Sequence, residues 1–295
     1  MRRLTRIGEV RAALREPRRS GAVIGLVPTM GAFHDGHLAL MRAARAECDV
    51  VVVSLFVNPA QFNQAADLAA YPREEERDGA LAEQEGVDVL FTPPAEEIYP
   101  PGFATTVSVA GVTETLEGAH RGRGHFDGVA TVVTKLLNIV GPDVAYFGHK
   151  DAQQALLIRR LVADLDLPVR VAVLPTARDA DGLALSSRNA RLAPEERPRA
   201  LALARALEAI AEAVADGERD ARVARARGLA ELEEAGLEPE YLELVEPETL
   251  APVEEITGEV LALVAARVGA TRLIDNLNID PLAAPAATTA RVARQ

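Results

Sequence analysis

Two histidines three residues apart, His34 and His37, stand in the run Pro28-Thr29-Met30-Gly31-Ala32-Phe33-His34-Asp35-Gly36-His37, between an apolar β-branched stretch and a helical one opening at Leu38. A helix N-terminus carries unpaired backbone N–H groups and roughly half a positive charge, which makes it an anion site. Two imidazoles there can donate to phosphate oxygens, while Gly31 and Gly36 let a ligand approach the backbone. Alone, the pair also fits a cap, a turn or part of a metal site. Its place after a buried strand favours the anion, because open α/β sheets bind ligands at the carboxyl ends of their strands.

Other cations are unevenly supplied. Of 32 Lys plus Arg only two are lysines, Lys135 and Lys150, and all five histidines (His34, His37, His120, His125, His149) precede residue 150. A lysine retained among arginines points to a compact ammonium with no bidentate fork. Lys150, in Phe147-Gly148-His149-Lys150-Asp151-Ala152-Gln153-Gln154 just past a strand, fits that better than Lys135. Lys135 lies in an apolar helical segment and suits a snorkelling or structural role equally well. A further cation, Arg188, follows Ser186 and Ser187 in the loop Pro175 to Asn189. Two hydroxyls beside an arginine on a glycine-containing loop form a mobile phosphate clamp. An interdomain turn explains the Gly and Ser there but not the arginine.

Uncharged groups complete the set. Phe56-Val57-Asn58-Pro59-Ala60-Gln61-Phe62, followed by Tyr71-Pro72-Arg73, offers Asn58 and Gln61 beside apolar neighbours. That combination suits a small polyhydroxy acid with a branched apolar centre, or else a capped turn at a strand end.

The elements that position these groups are legible as short β-branched runs: Ala22 to Val27, Val50 to Val57, Val87 to Phe91, Val144 to Phe147 and Val169 to Leu174. They read as strands buried on both faces. Between them, Leu38 to Glu47, Arg73 to Glu85, Val129 to Val140 and Ala152 to Asp164 have helical composition and crossover length. The alternation predicts an α/β fold with a Rossmann-like doubly wound parallel sheet over residues 1–185. Past Asp181 to Asn189 the pattern changes to Ala, Leu, Arg and Glu at helical spacing, then to Glu240 to Val245, Val260 to Val268 and Arg272 to Asn276. Residues 186–295 are therefore expected to form a smaller α+β domain, a helix pair on an antiparallel sheet, with Ala283 to Gln295 a frayed end.

Composition excludes several classes. With 295 residues, 48% of them hydrophobic, the chain is not a disordered one. A net charge of −12 has the wrong sign for coating nucleic acid or an anionic membrane. One cysteine, Cys48, rules out a disulfide framework and fits a reducing compartment, so a cytoplasmic location is expected. No apolar h-region follows Met1 to Arg6 and no run of membrane length occurs, so neither a signal peptide nor a span is read. G-x-x-x-x-G-K-[ST], G-x-G-x-x-G, G-x-S-x-G and H-E-x-x-H are all absent.

Taken together, these motifs resemble one family closely. H-x-G-H at His34 to His37 is the signature of the nucleotidyltransferase superfamily shared with class I aminoacyl-tRNA synthetases. The further runs FVNPAQF, YPR, GHFDGVATVVTKLLNIVGPD, FGHKDAQQ, DGLALSSRN and ARVGATRLIDN resemble, in order and approximate spacing, the pantoate–β-alanine ligase family over nearly the whole chain. The resemblance implies ATP-dependent joining of pantoate to β-alanine, with release of AMP and pyrophosphate through a pantoyl adenylate. It also implies ATP as co-substrate with Mg²⁺, a Rossmann-like domain with a smaller C-terminal lid domain, and a homodimer. Carried over residue by residue, it implies ATP contacts from Met30, Gly31, His34, His37, Gly148, His149, Lys150, Asp151, Ala177, Leu185, Ser186, Ser187 and Arg188. His34, His37, Lys150, Ser186, Ser187 and Arg188 are the catalytic group among these, and the ligands of the metal are not assigned. Gln61 and Gln154 would hold pantoate with Asn58 supporting that pocket, and Arg123 and Arg188 are candidates for the β-alanine carboxylate. Departures from the family pattern fall at Phe33, Ala66, Ala152, Ala177 and Asp179. The alternatives are a pantetheine-phosphate or cytidylyl transferase, and a non-catalytic nucleotide-binding protein.

Overall fold

The structure is a computed structural model describing residues 1–63 and 68–282, so the departure at Ala66 and the expected frayed end Ala283 to Gln295 lie outside the described residues. The chain divides into two units, Met1–Ala177 with Leu185–Ser187 and Arg178–Ala184 with Arg188–Gln295.

In the first unit, strands β1 (Arg2–Leu4), β2 (Ile24–Thr29), β3 (Val50–Leu55), β4 (Val89–Phe91), β5 (Val144–Gly148) and β6 (Arg170–Leu174) form one sheet. Their order is β1-β4-β3-β2-β5-β6 and every neighbouring pair is parallel. This is the Rossmann-like doubly wound arrangement that the alternation of runs predicts. Crossovers are supplied by helices Asp35–Glu47, Glu75–Gln84, Arg123–Val140 and Ala152–Asp164. The longest of them is buried without a gap from Gly128 to Val133, and again at Leu136, Leu137, Ile139 and Val140, so most of its circumference is covered. Tight layers require small residues at the core. A Cβ on Gly25 in β2 would lie 2.8 Å from Cys48 Sγ and 3.3 Å from the Tyr146 ring.

Strand β1 is not among the predicted runs. It has three residues, two of them arginines, and adds to the sheet edge in register Arg2↔Val89, Arg3↔Leu90 and Leu4↔Phe91. Hydrophobic patterning cannot reveal a strand that short and polar.

Connections run from β2 toward β3 and β4 on one side, while β5 and β6 lie on the other. The loops after β2 and β5 therefore leave neighbouring strands and diverge. That reversal point is where open α/β sheets leave a crevice for ligands.

In the second unit, helices Ala202–Ala215 and Ala221–Glu234 accompany the antiparallel sheet β7 (Pro239–Val245), β8 (Val260–Val268) and β9 (Thr271–Ile279). Leu203, Leu207, Ile210 and Val214 of the first helix share a core with Leu242, Leu244, Val260, Val264 and Leu273 of the strands. The polar hairpin that begins this unit is tied to β9. Arg178 donates to both carboxylate oxygens of buried Asp275, at 2.6 and 3.0 Å, and to Gly182 O at 3.1 Å. Arg197 closes the same hairpin from outside, reaching Asp179 at 2.6 Å and Asp181 at 2.8 Å, so the departure at Asp179 carries an ion pair. No helix among the described residues is long and apolar enough to cross a membrane.

Candidate active site

The loop after β2 takes an uncommon backbone path. Gly31 and Ala32 both have positive φ, 86° and 53°, and the second is a non-glycine residue in a region that costs free energy unless its surroundings enforce it. Two side chains do so. Thr29 Oγ1 donates to Ser54 O at 2.7 Å and accepts from Gly31 N at 3.3 Å. Asp78, without solvent exposure, takes Ala32 N on one carboxylate oxygen at 2.7 Å and Phe33 N on the other at 2.8 Å. Burial pushes the Asp78 carboxyl up, while those two N–H groups act in the opposite direction.

The loop ends by capping the helix Asp35–Glu47 with its own histidines. His34 is the N-cap residue and its Nδ1 accepts from Gly36 N at 3.2 Å, while His37 Nδ1 accepts from His34 N at 3.4 Å. The cap reading of the pair is met by this arrangement. With Nδ1 occupied as acceptor, a neutral ring carries its proton on Nε2, so each imidazole turns a donor away from the cap. His37 is held neutral. Desolvation lowers it to about 3, and the nearby charges of His34 and Lys150 act in the same direction. The two rings lie 4.2 Å apart between centroids and Phe33 packs 5.5 Å from His37.

The second loop follows β5, the neighbour of β2 in the sheet. Gly148 ends β5, His149, Lys150 and Asp151 form one turn of 3₁₀ helix, and Ala152 begins the next helix. Lys150 is 15% exposed at its side chain and its Nζ lies 3.5 Å from Asp151 Oδ2, while Asp151 is largely open. The two glutamines that follow have different surroundings. Gln153 is buried, accepting from Glu117 N and donating to Val112 O and Thr115 O, so it braces the preceding loop. Gln154 is partly buried in the first helical turn. Ala177 and Leu185 approach from a third direction. Leu185 N donates to Ala177 O at 2.9 Å, and the Ala177 methyl would be 3.7 Å from a Cβ on Gly36.

A polar cluster adjoins Met30. Asn58 Nδ2 donates to Gln61 Oε1 and Gly128 O, both at 3.1 Å, and its Oδ1 accepts from Ala60 N at 3.3 Å and Tyr99 at 2.8 Å. All four of its hydrogen-bonding capacities are used within the protein, which suits support of a pocket. Gln61 differs, because its Nε2 donates to Met30 Sδ at 2.8 Å. A thioether is a weak acceptor that a ligand oxygen readily replaces. His125 Nδ1 meets Gln61 O at 2.8 Å, and burial lowers this histidine to about 4. A cleft of about 280 Å³ opens beside Met30 and Gly31, and Pro72 and Arg73 of the Tyr71-Pro72-Arg73 run line it with Leu55, Phe56 and Val57.

Met30, Gly31, His34, His37, Asn58, Gln61, Gly148, His149, Lys150, Asp151, Gln154, Ala177, Leu185, Ser186 and Ser187 all belong to the first unit. Arg188 belongs to the second and sits in the 3₁₀ turn Ser187–Arg191. Arg123 is exposed at the start of its helix. Asp78 and Tyr99 were not singled out from the sequence. The one available signal for Asp78 was an acid four residues before Ala82 on the helix face that also buries Gly79.

A sequence model of the family described as pantoate-beta-alanine ligase matches residues 2–278. Pantothenate synthetase of Acidobacterium capsulatum is 54% identical over 289 residues, covering 94% of this chain and 96% of that one. The synthetase of Cereibacter sphaeroides is 53% identical over 94% of this chain and 99% of its own. Among solved structures, pantothenate synthetase from Thermus thermophilus superposes with a TM-score of 0.90 at 49% identity, over 94% of this chain and 99% of that one. The pantoate-beta-alanine ligase of Francisella tularensis, complexed with Beta-gamma ATP and Beta-alanine, gives 0.78 at 34% identity, over 94% and 97%. The imidazole pair at the reversal point of a parallel sheet, and the likeness to these enzymes along nearly the entire chain, have one explanation: the chain belongs to the pantoate–β-alanine ligase family.

Proposed function

We propose that the chain joins pantoate to β-alanine at the expense of ATP through an enzyme-bound pantoyl adenylate, with ATP on the β2 and β5 loops and pantoate beside Gln61. The observation that carries this reading is the double engagement of one loop. Met30 at its start accepts from Gln61 Nε2 at 2.8 Å, and His34 and His37 at its end open a helix with their Nδ1 atoms engaged in its cap. A loop that meets Gln61 at one end and a helix N-terminus at the other suits a carboxylate and a phosphate held along it.

In the first step an oxygen of the pantoate carboxylate bonds to the α-phosphorus, the bond to the bridging oxygen breaks, and pyrophosphate departs with the electron pair. Negative charge accumulates on a phosphorus already surrounded by anionic oxygens. The Lys150 ammonium and the Nε2 donors of His34 and His37 are placed to offset it, each such preorganised group being worth about 2.7–4 kcal/mol at the barrier. Ser186, Ser187 and Arg188 are assigned to the leaving pyrophosphate, Gly148, His149 and Asp151 to the nucleoside side, and Ala177 and Leu185 to the base. In the second step the neutral β-alanine amine bonds to the activated carbonyl, AMP leaves with the electrons of the acyl carbon–oxygen bond, and the proton shed by the nitrogen passes to solvent. Positioning and exclusion of water suffice there. Gln154 is assigned to pantoate with Gln61.

Among the described residues no cluster of three or more His, Cys, Asp or Glu side chains has the geometry of a metal site. Mg²⁺ would arrive with ATP, held mainly by phosphate and water oxygens, and would neutralise phosphate charge there. A homodimer and a cytoplasmic location are further parts of this proposal, and equilibrium sedimentation tests the former.

The deciding experiment is exchange of labelled pyrophosphate into ATP. With pantoate present and β-alanine omitted, exchange is expected; its absence in active enzyme would exclude a reversible adenylate.

A further inference from the structure

Tyr99 adjoins the Asn58–Gln61 turn and Lys135 stands over its aromatic neighbours, and neither has a part in the two chemical steps. Tyr99 follows the short helix Ala95–Ile98, and its hydroxyl donates to Asn58 Oδ1 at 2.8 Å. Its ring packs against Phe56 and Phe103, at 6.2 and 5.1 Å between centroids. Lys135 Nζ stands 4.6 Å from the Phe103 ring centre and 6.0 Å from that of Tyr99, within reach of a cation–π attraction to both. Burial raises the Tyr99 phenol to about 12, with the Asn58 hydrogen bond opposing, so it keeps its proton at neutral pH.

The chain of contacts has a direction. A primary amide presents an acceptor at one end and donors at the other, so whatever fixes one amide fixes its neighbour. The Ala60 N–H marks Asn58 Oδ1 as the acceptor end and Gly128 O marks Nδ2 as the donor end, and the Tyr99 hydroxyl adds its proton to Oδ1 at the shorter distance of 2.8 Å. Asn58 Nδ2 then meets Gln61 Oε1, leaving Gln61 Nε2 facing Met30. The group that Gln61 offers to a ligand is therefore N–H and not C=O. That polarity selects a ligand oxygen that accepts, such as a carboxylate.

We infer that Tyr99, backed by Lys135, is a positioning residue for the acid substrate, acting through Asn58 to keep the donor end of Gln61 toward pantoate. This inference rests on the proposal that Gln61 holds pantoate. Steady-state kinetics of the full-length enzyme test both, through three variants. Tyr99→Phe keeps the ring and its packing but removes the proton. Its KM for pantoate is expected to rise about 3- to 10-fold, the loss of one ordinary hydrogen bond, with kcat and the KM for ATP within about twofold. Lys135→Met, which keeps the stem and removes the charge, is expected to raise the same KM by about two- to threefold. Gln61→Ala is the reference and should raise it further than either. A normal pantoate KM in Tyr99→Phe beside a raised one in Gln61→Ala would overturn the positioning role and leave the pocket assignment standing. A normal pantoate KM in Gln61→Ala would overturn the pocket assignment itself. Equal rises in the KM for ATP and for pantoate in Tyr99→Phe, with a lowered melting temperature, would show a general structural role and overturn the inference.

Discussion

At the scale of single residues, the proposed nucleotide site pairs the ammonium of Lys150 with the imidazole of His37, whose protonation desolvation opposes. Lys150 is the cation, and Lys150→Ala is expected to slow pantoate-dependent pyrophosphate exchange by at least about 100-fold, the scale of losing one electrostatic stabiliser, while leaving the urea midpoint nearly unchanged. His37 is a donor kept neutral by desolvation. Its pKa of about 3 in the folded chain lies below the ordinary 6.5, so between those values the unfolded chain binds a proton that the folded chain refuses. Stability is therefore lost as pH falls through 6.5, by on the order of 1–2 kcal/mol at pH 5 from this residue. His37→Gln should flatten the dependence of unfolding free energy on pH between 7 and 5; an unchanged slope would mean that His37 is not held neutral. Asp78 is a different kind of contributor, since both its oxygens hold backbone N–H groups of the loop. In Asp78→Asn one oxygen becomes an NH₂ facing an N–H, and the KM for ATP should rise at least about tenfold through the loop. The histidines and Lys150 were legible in the sequence because their types are scarce and sit at strand ends. Asp78 was not, being one acid among 44, and only three-dimensional burial distinguishes it.

At the scale of elements, the helix Arg123–Val140 determines where the Asn58–Gln61 turn lies. A Cβ on Gly128 would stand 2.7 Å from Gln61 N and closer still to Ala60 O, an approach no backbone tolerates. Gly128→Ala should therefore push the turn away, destabilise the fold by about 1–3 kcal/mol in urea unfolding and raise the KM for pantoate more than that for ATP. Normal values of both would show that the turn moves freely. The strands of the sheet interior were readable from sequence because burial on both faces leaves uninterrupted apolar runs such as Val50 to Val53. Helix starts were less so. The helix predicted from Leu38 begins at Asp35, since the cap is a histidine, and the one predicted from Val129 begins at Arg123, since Gly124, His125 and Asp127 hide its first turns. Strand β1 escaped notice because edge pairing through backbone groups needs no apolar side chains.

At the scale of the whole molecule, an acidic chain keeps His34, His37 and Lys150 on the loops that follow the neighbouring strands β2 and β5, so the net charge of −12 does not describe its local surfaces. The second unit has its own electrostatic anchor in Arg178 and Asp275. Asp275→Ala leaves a partly buried guanidinium without its partner and should cost on the order of 2–3 kcal/mol in the unfolding of that unit, measured by differential scanning calorimetry. That anchor also has a meaning in time. Its two residues are 97 positions apart in the chain, which a ribosome adding about 5–20 residues per second separates by roughly 5–20 s. The hairpin that leads into Leu185, Ser186 and Ser187 is thus synthesised early but fastened late, when β9 emerges. A nascent chain stopped before β9 would contain every residue assigned to ATP but lack the Arg178–Asp275 pair, its hairpin held by Arg197 until the last of the described strands is made.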